Sequence, residues 1–121
     1  MYDMYGLPER FIENMKKQLP EDEWEDFFAC YEKPPVKGVR LNPLRGDVTA
    51  MKAVLPFLGA PVPWEENGFY TAAEKVGASP YHFAGVIYSQ EPSAMCAAPL
   101  LEVKEGERVL DLCSAPGGKG T

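Results

Sequence analysis

Apolar residues recur three and four positions apart in the first 31 residues of the chain, which is the spacing of amphipathic helices. The second of two predicted helices starts at Pro20, and the acidic residues 21–23 suit its first turn because a helix N-terminus favours negative charge. Both apolar faces are predicted to pack in a core, although the aromatic row of the second could also stack bases. The two faces are Leu7, Phe11, Ile12, Met15 and Leu19 in the first helix, and Trp24, Phe27, Phe28 and Tyr31 in the second.

Strand-like and helical segments alternate in the middle of the chain. Residues 36–41 alternate enough for a strand. Asp47 can cap a helix that follows, and Asn67-Gly68 is a turn dipeptide within a predicted strand pair or loop. Two helices followed by mixed strand and helix predict a small α+β domain. The apolar face of the helix after Asp47 is formed by Met51, Val54, Leu55 and Leu58.

A further set of elements follows after a stretch of weak apolar periodicity. Residues 86–88 form a short predicted strand, Pro92 opens a predicted helix, and the apolar run 109–112 predicts a strand buried on both faces. We therefore expect an α+β domain at 1–75 and the start of a second domain at 76–121.

The run Asp-Leu-Cys-Ser-Ala-Pro-Gly-Gly-Lys at 111–119 is the foremost candidate for a ligand site. Asp111 ends the predicted strand, and the small residues after it leave backbone N–H groups bare, as in the crevice beside an open α/β sheet. A P-loop does not fit, because Cys113 stands in the place of its first glycine and Gly120 in that of its hydroxyl residue. The dinucleotide fingerprint does not fit either, since the two glycines are adjacent. What remains is a loop for close approach of a ligand, with Lys119 as a cation for an anionic end.

This loop resembles the S-adenosylmethionine loop of the Fmu/Sun-type RNA (cytosine-5) methyltransferases, which usually have alanine where this chain has Ser114. The segment 85–95 is similar to the one that precedes the loop in that family, and residues 39–42 resemble its amino-terminal Arg-x-Asn signature. The resemblance implies an α+β amino-terminal RNA-recognition domain followed by the truncated start of an α/β Rossmann-like methyltransferase domain. It also places Gln90 and Glu91 beside the methyltransferase cleft.

The resemblance implies S-adenosyl-L-methionine as the cofactor and RNA as the substrate, with ribosomal RNA favoured and transfer RNA as the alternative. In this family a cysteine thiolate adds to carbon 6 of cytosine, so that carbon 5 can take the methyl group. The family's Pro-Cys and Thr-Cys segments match none of Cys30, Cys96 and Cys113, so no catalytic residue is assigned and the isolated chain is predicted not to methylate RNA. The residues implied to bind the cofactor are Cys113, Ser114, Ala115, Pro116, Gly117, Gly118 and Lys119.

Charge is unevenly distributed along the chain, whose net charge of −6 is unusual for a protein that binds nucleic acid. Residues 33–46 carry four basic side chains and no acidic one. This segment is either a solvated loop and strand or a surface that faces RNA. The second interpretation allows an alternative function, that of a noncatalytic RNA-binding or adaptor module. The candidate RNA-binding residues are Lys37, Arg40, Asn42 and Arg45.

Composition adds expectations about location and metals. No signal peptide or membrane span is recognisable, so a cytoplasmic protein without a membrane partner is expected. The three cysteines are widely spaced and lack a His/Cys cluster, which argues against disulfides and against a metal site. The one histidine, His82, is flanked by aromatic residues and is assigned no role.

Overall fold

The computed structural model describes residues 6–115 and 117–120. The chain forms two compact units, Met1–Pro35 and Val36–Thr121. Within the described ranges, no helix combines the length and the apolar character needed to cross a bilayer.

The first unit is helical, as the apolar spacing predicts. Ile12 and Phe28 are buried in it. The ring of Phe27 packs edge to face against Phe28 and against Tyr31, with centroids 5.2 and 5.6 Å apart. The prediction that the aromatic row packs in a core is therefore confirmed for Phe28, whereas Tyr31 is 47% exposed. Its helices are α1 (Glu9–Gln18) and α2 (Trp24–Ala29), and 3₁₀ turns at Glu21–Glu23 and Cys30–Glu32 flank α2.

Strands and short helices alternate in the second unit. The strands form an antiparallel sheet of order β2-β1-β3. Both β1 and β3 lie within a residue of their predicted positions, and Pro92 starts a 3₁₀ turn that leads into α5. The α+β character of this part of the chain is confirmed. In chain order the elements are β1 (Lys37–Leu41), α3 (Val48–Val54), β2 (Gly68–Thr71), α4 (Pro80–Phe83), β3 (Ile87–Ser89) and α5 (Ala97–Leu101).

One face of the sheet carries the core of the second unit. Val39 in the central strand lies opposite Phe69 on one side and Ser89 on the other. α3 covers this face, and it begins where predicted, because Oδ1 of Asp47 accepts a hydrogen bond from the Ala50 N–H at 2.8 Å. The buried core consists of Val39, Leu41, Met51, Leu55, Phe69, Val76 and Ile87.

The predicted apolar face of α3 is wrong at one position. Val54 is 62% exposed, whereas Met51 and Leu55 are buried. α3 ends at Val54, and Leu55 follows with an extended backbone (φ −101°, ψ 96°), so Leu55 enters the core from beyond the helix and does not share a helical face with Val54. Val48, which is partly buried against the core, takes the place expected for Val54.

The other face of the sheet accommodates the 3₁₀ turn that starts at Pro92. Met95 in that turn is fully buried. A Cβ atom on Gly38 would lie 2.8 Å from Met95 Cε and 2.7 Å from the Gln90 carbonyl oxygen, and one on Gly68 would lie 2.7 Å from Met95 Sδ. Glycine at these two positions therefore makes room for close packing of the turn against the strands.

Around Asn67-Gly68, where a strand pair or a loop is predicted, residues 64–67 form a turn that leads into β2. The Gly68 N–H donates to the Glu65 carbonyl at 2.9 Å, and the Val62 N–H donates to the Gly68 carbonyl at 2.8 Å. An antiparallel bridge joins Pro61 to Phe69 in β2.

The sheet includes residues from both sides of the expected boundary between 1–75 and 76–121. β3 lies in the later segment and pairs with β1 in the earlier one. As a division between an RNA-recognition part and a methyltransferase part, this boundary stays a prediction.

The expected strand at 109–112 is not formed. Val109, Leu110 and Leu112 are 57%, 80% and 86% exposed, and residues 109–112 have no strand assignment. A parallel strand needs a neighbour to accept and donate its ladder hydrogen bonds, and no described strand lies in parallel beside this run.

Candidate functional site

The glycine-rich loop after residue 110 has the open backbone expected of a ligand-binding turn. Oδ1 of Asp111 accepts a hydrogen bond from the Cys113 N–H at 2.8 Å, which turns the chain at the start of the loop. Gly117 has φ +102°, a conformation that L side chains rarely adopt, and its carbonyl accepts a hydrogen bond from the Gly120 N–H at 3.2 Å. Pro116 lies outside the described residues.

Gln90 fastens this loop to the end of β3. Its side chain is only 6% exposed, and its Nε2 donates a hydrogen bond to the Gly118 carbonyl. Tyr88 also lies beside the glycine loop, because a Cβ atom on Gly118 would be 3.7 Å from the Tyr88 Oη. The junction to which sequence similarity assigned Gln90 and Glu91 is thus in contact with the glycine loop.

The Oε1 atom of Gln90 is buried and has no hydrogen-bond partner among the described residues. An unpaired buried acceptor costs about 1–3 kcal/mol, so native structures rarely keep one without compensation. A ligand that donates a hydrogen bond here would remove that cost.

A pocket of about 180 Å³ lies between the end of β3 and the glycine loop. Small-molecule sites usually have about 300–1,000 Å³, so this pocket has room for one end of a cofactor-sized ligand. It contains four of the predicted cofactor-binding residues, whereas Ser114 and Gly117 are absent from its lining. The lining residues are Tyr88, Ser89, Gln90, Glu91, Ala94, Cys113, Ala115, Gly118 and Lys119.

The basic candidates do not all lie on one surface. Lys37 pairs with Thr71 and, by strand alternation, belongs to the same face of β1 as the core residue Val39. Arg40 pairs with Tyr88 in β3 and belongs to the opposite face. The structure therefore does not bring Lys37 and Arg40 together.

Asn42 is engaged within the protein through both ends of its amide. Its Oδ1 accepts a hydrogen bond from the Leu44 N–H and its Nδ2 donates one to the Gly85 carbonyl, both at 3.0 Å. Gly85 has φ +70°, and a Cβ atom there would stand 3.5 Å from the Arg45 Nε. Asn42 thus holds the Gly85 turn against which the Arg45 guanidinium lies.

A second pocket, of about 110 Å³, lies beside this turn and is lined by Arg40 and Asn42. It also contains His82, to which the sequence assigned no role. The His82 ring stacks on Tyr88 with centroids 5.5 Å apart and planes at 26°. Ser79 positions this histidine, because its Oγ accepts a hydrogen bond from the His82 N–H at 3.3 Å at the start of α4. No pattern near His82 indicates this neighbourhood, which depends on the pairing of β3 with β1.

Comparison with known proteins shows the family to which the chain belongs. A family model described as the N-terminal domain of 16S rRNA methyltransferase RsmF matches residues 7–92. The chain therefore belongs to this family, and its resemblance to the Fmu/Sun-type RNA methyltransferases is confirmed.

Individual relatives extend the match to the glycine loop. Ribosomal RNA small subunit methyltransferase F of Vibrio cholerae is 36% identical over 131 residues, covering 100% of this chain and 28% of its own length. The protein of the same name from Citrobacter koseri is 33% identical, covering 95% of this chain and 26% of its own length. The chain thus spans little more than a quarter of these relatives.

A solved structure supports the same fold. The crystal structure of a methyltransferase homolog protein from Pyrococcus horikoshii superposes with a TM-score of 0.76 at 31% sequence identity. The match covers 96% of this chain and 39% of that one.

Proposed function

We propose that this chain is the amino-terminal part of an S-adenosyl-L-methionine-dependent RNA (cytosine-5) methyltransferase that acts on ribosomal RNA, with transfer RNA as the alternative substrate. The observation that carries the proposal is Gln90, a buried amide that grips the glycine loop and keeps an unpaired acceptor beside it. Membership of a ribosomal RNA methyltransferase family supports the substrate class. A cytoplasmic location belongs to the same proposal, because ribosomal RNA is found there.

The glycine loop would hold one end of the cofactor. S-adenosyl-L-methionine supplies a methyl group on a sulfonium sulfur and carries an amino acid end with both charges. Lys119 could attract its carboxylate and Glu91 its cationic groups, since both line the pocket. The proposed cofactor-binding set remains Cys113 to Lys119, and residues 109–112 would form the first strand of a Rossmann-like sheet once a neighbouring strand is present.

The basic segment would face the RNA. Arg40 and Arg45 would supply cations that neutralise phosphates, and Asn42 would hold the Gly85 turn beside Arg45. Lys37 belongs to the opposite face of β1, so it would make a separate contact. Local charge matters more than the net charge of −6, because backbone phosphates are contacted at short range.

The catalytic thiol would come from outside these residues. Cys30 Sγ donates to the Asp26 carbonyl at 3.2 Å, and Cys96 Sγ donates to the Ser93 carbonyl at 2.9 Å, so both thiols are used within the local chain. Cys113 lies in the cofactor loop. None of the three corresponds to the Pro-Cys or Thr-Cys segments of the family.

A methyl-transfer assay tests the proposal. The product of the complete gene and the 121-residue chain are each incubated with tritiated S-adenosyl-L-methionine and small-subunit ribosomal RNA, followed by nucleoside analysis. We expect 5-methylcytidine from the gene product and none from the chain alone. Methylation by the isolated chain would overturn the assignment of the nucleophile. RNA binding without methylation by either protein would favour the noncatalytic module.

A further inference from the structure

Arg40 carries a charge that the protein itself does not pair. The side chain is half-buried, and within residues 6–115 and 117–120 neither Arg40 nor Arg45 makes an ion pair or a side-chain hydrogen bond. A guanidinium without a partner in the protein keeps its N–H donors available to an anion from outside the chain.

The pocket beside Arg40 is suited to such an anion. Its lining includes the imidazole of His82 and the open turn at Gly85, and no carboxylate is part of it. The Arg45 guanidinium lies beside Gly85, and because glycine has no side chain, none stands between the guanidinium and this turn. Arg40 thus lines this pocket, and a second guanidinium, that of Arg45, lies beside Gly85, which is one of the lining residues.

The size of the pocket limits what can enter. A water molecule takes about 30 Å³ of liquid, so a pocket of about 110 Å³ has room for a group of a few non-hydrogen atoms. Phosphate is such a group, and the planar fork of a guanidinium matches its oxygens in a bidentate manner. We propose that Arg40 and Arg45, with His82 and the Gly85 turn, form a binding site for one phosphodiester of a single-stranded RNA.

The aromatic neighbours favour RNA over other phosphate compounds. His82 and Tyr88 line the pocket and stack on each other, and single-stranded RNA combines phosphate contacts with stacking of bases on aromatic rings. Tyr88 lines this pocket and also the one at the glycine loop. This assignment rests on the proposed function, and it places the bound phosphate close to the nucleotide that would receive the methyl group.

Salt-dependent RNA binding tests the site. The affinity of the chain for a short fluorescent single-stranded RNA is measured by anisotropy over a range of KCl concentrations, for the wild type and for Arg40→Gln, Arg45→Gln and Arg108→Gln. Each phosphate contact contributes about 0.7 to the log–log slope for single strands, so the first two variants should each lower the slope by about that amount and bind several-fold more weakly. Arg108→Gln removes the same charge from an exposed residue outside the pocket and should match the wild type.

The outcomes distinguish failure of the phosphate site from failure of the proposed methyltransferase function. Arg45 is exposed, so Arg45→Gln tests the pocket even if Arg40→Gln fails to fold. Wild-type slopes in both pocket variants would overturn the proposal, as would equally tight binding of polyglutamate that is lost in the same variants. Loss of RNA binding in these variants, together with a complete gene product that never methylates RNA, would keep the phosphate site and reject the methyltransferase.

Discussion

At the scale of a single residue, Gln90 has a buried acceptor that lowers stability but is available to a ligand. Replacing it with Met keeps the volume, removes the unpaired Oε1 and removes the hydrogen bond to Gly118. Losing that bond costs about 1 kcal/mol, while removing a buried unpaired acceptor gains about 1–3 kcal/mol. We therefore expect Gln90→Met to leave the free energy of unfolding unchanged or up to about 2 kcal/mol higher in urea titrations, and to weaken cofactor binding about tenfold.

Because Gln90→Met should keep or raise stability while it weakens cofactor binding, the variant distinguishes a ligand-binding role from a structural one. Gln18→Met is the matched control, because Gln18 is exposed on α1 and bonds only to a carbonyl one turn away, so neither quantity should change. A fall in stability of more than about 1 kcal/mol with unaltered cofactor affinity would make Gln90 a purely structural residue.

Packing of the turn at Pro92 against the sheet depends on a glycine in the central strand. A Cβ on Gly38 would meet the Gln90 carbonyl oxygen at 2.7 Å, which is closer than real Cβ contacts. Because the obstacle is backbone, Gly38→Ala should lower the free energy of unfolding by about 1–3 kcal/mol in urea titrations. Gly77→Ala, whose nearest neighbour would be 4.0 Å away, should change it by less than about 0.5 kcal/mol. Equal stabilities of the two variants would show that the sheet and the turn are separated in solution.

Elements whose signals lie within their own segment could be predicted from the sequence. The alternation in β1, the Asp47 cap and the proline at the start of the 92–101 segment are local features, and the structure contains all three. The predicted apolar face is wrong at Val54, because apolar spacing alone does not indicate that the helix ends there and that Leu55 follows with an extended backbone.

The candidate sites depend more on contacts between distant residues. Gln90 reaches Gly118 across 28 positions, and His82 approaches Arg40 only because β3 pairs with β1. Such pairings have no signature in a single segment. The motif of the loop identifies it in the sequence, whereas no local pattern indicates that Gln90 is buried and bonds to Gly118.

At the scale of the whole molecule, the apolar run at 109–112 shows that a strand-like sequence does not form a strand without a partner strand. Val109 and Leu110 have the character of a buried strand, yet they are exposed and unpaired here. Strand formation is a property of a sheet and not of a segment, because each ladder bond needs a partner. Hydrogen exchange measures this directly, since amides without stable partners exchange at rates close to those of unfolded chains.

We expect amides 109–112 of the 121-residue chain to exchange rapidly, while those of Val39 and Leu41 in the central strand are protected. In the product of the complete gene, the same four amides should become protected if a neighbouring strand joins them, as a Rossmann-like sheet requires. The amides of β1 serve as the internal reference in both proteins. Protection of 109–112 in the isolated chain would mean that this run finds a partner within the residues present, and rapid exchange in both proteins would remove the strand from the proposed methyltransferase domain.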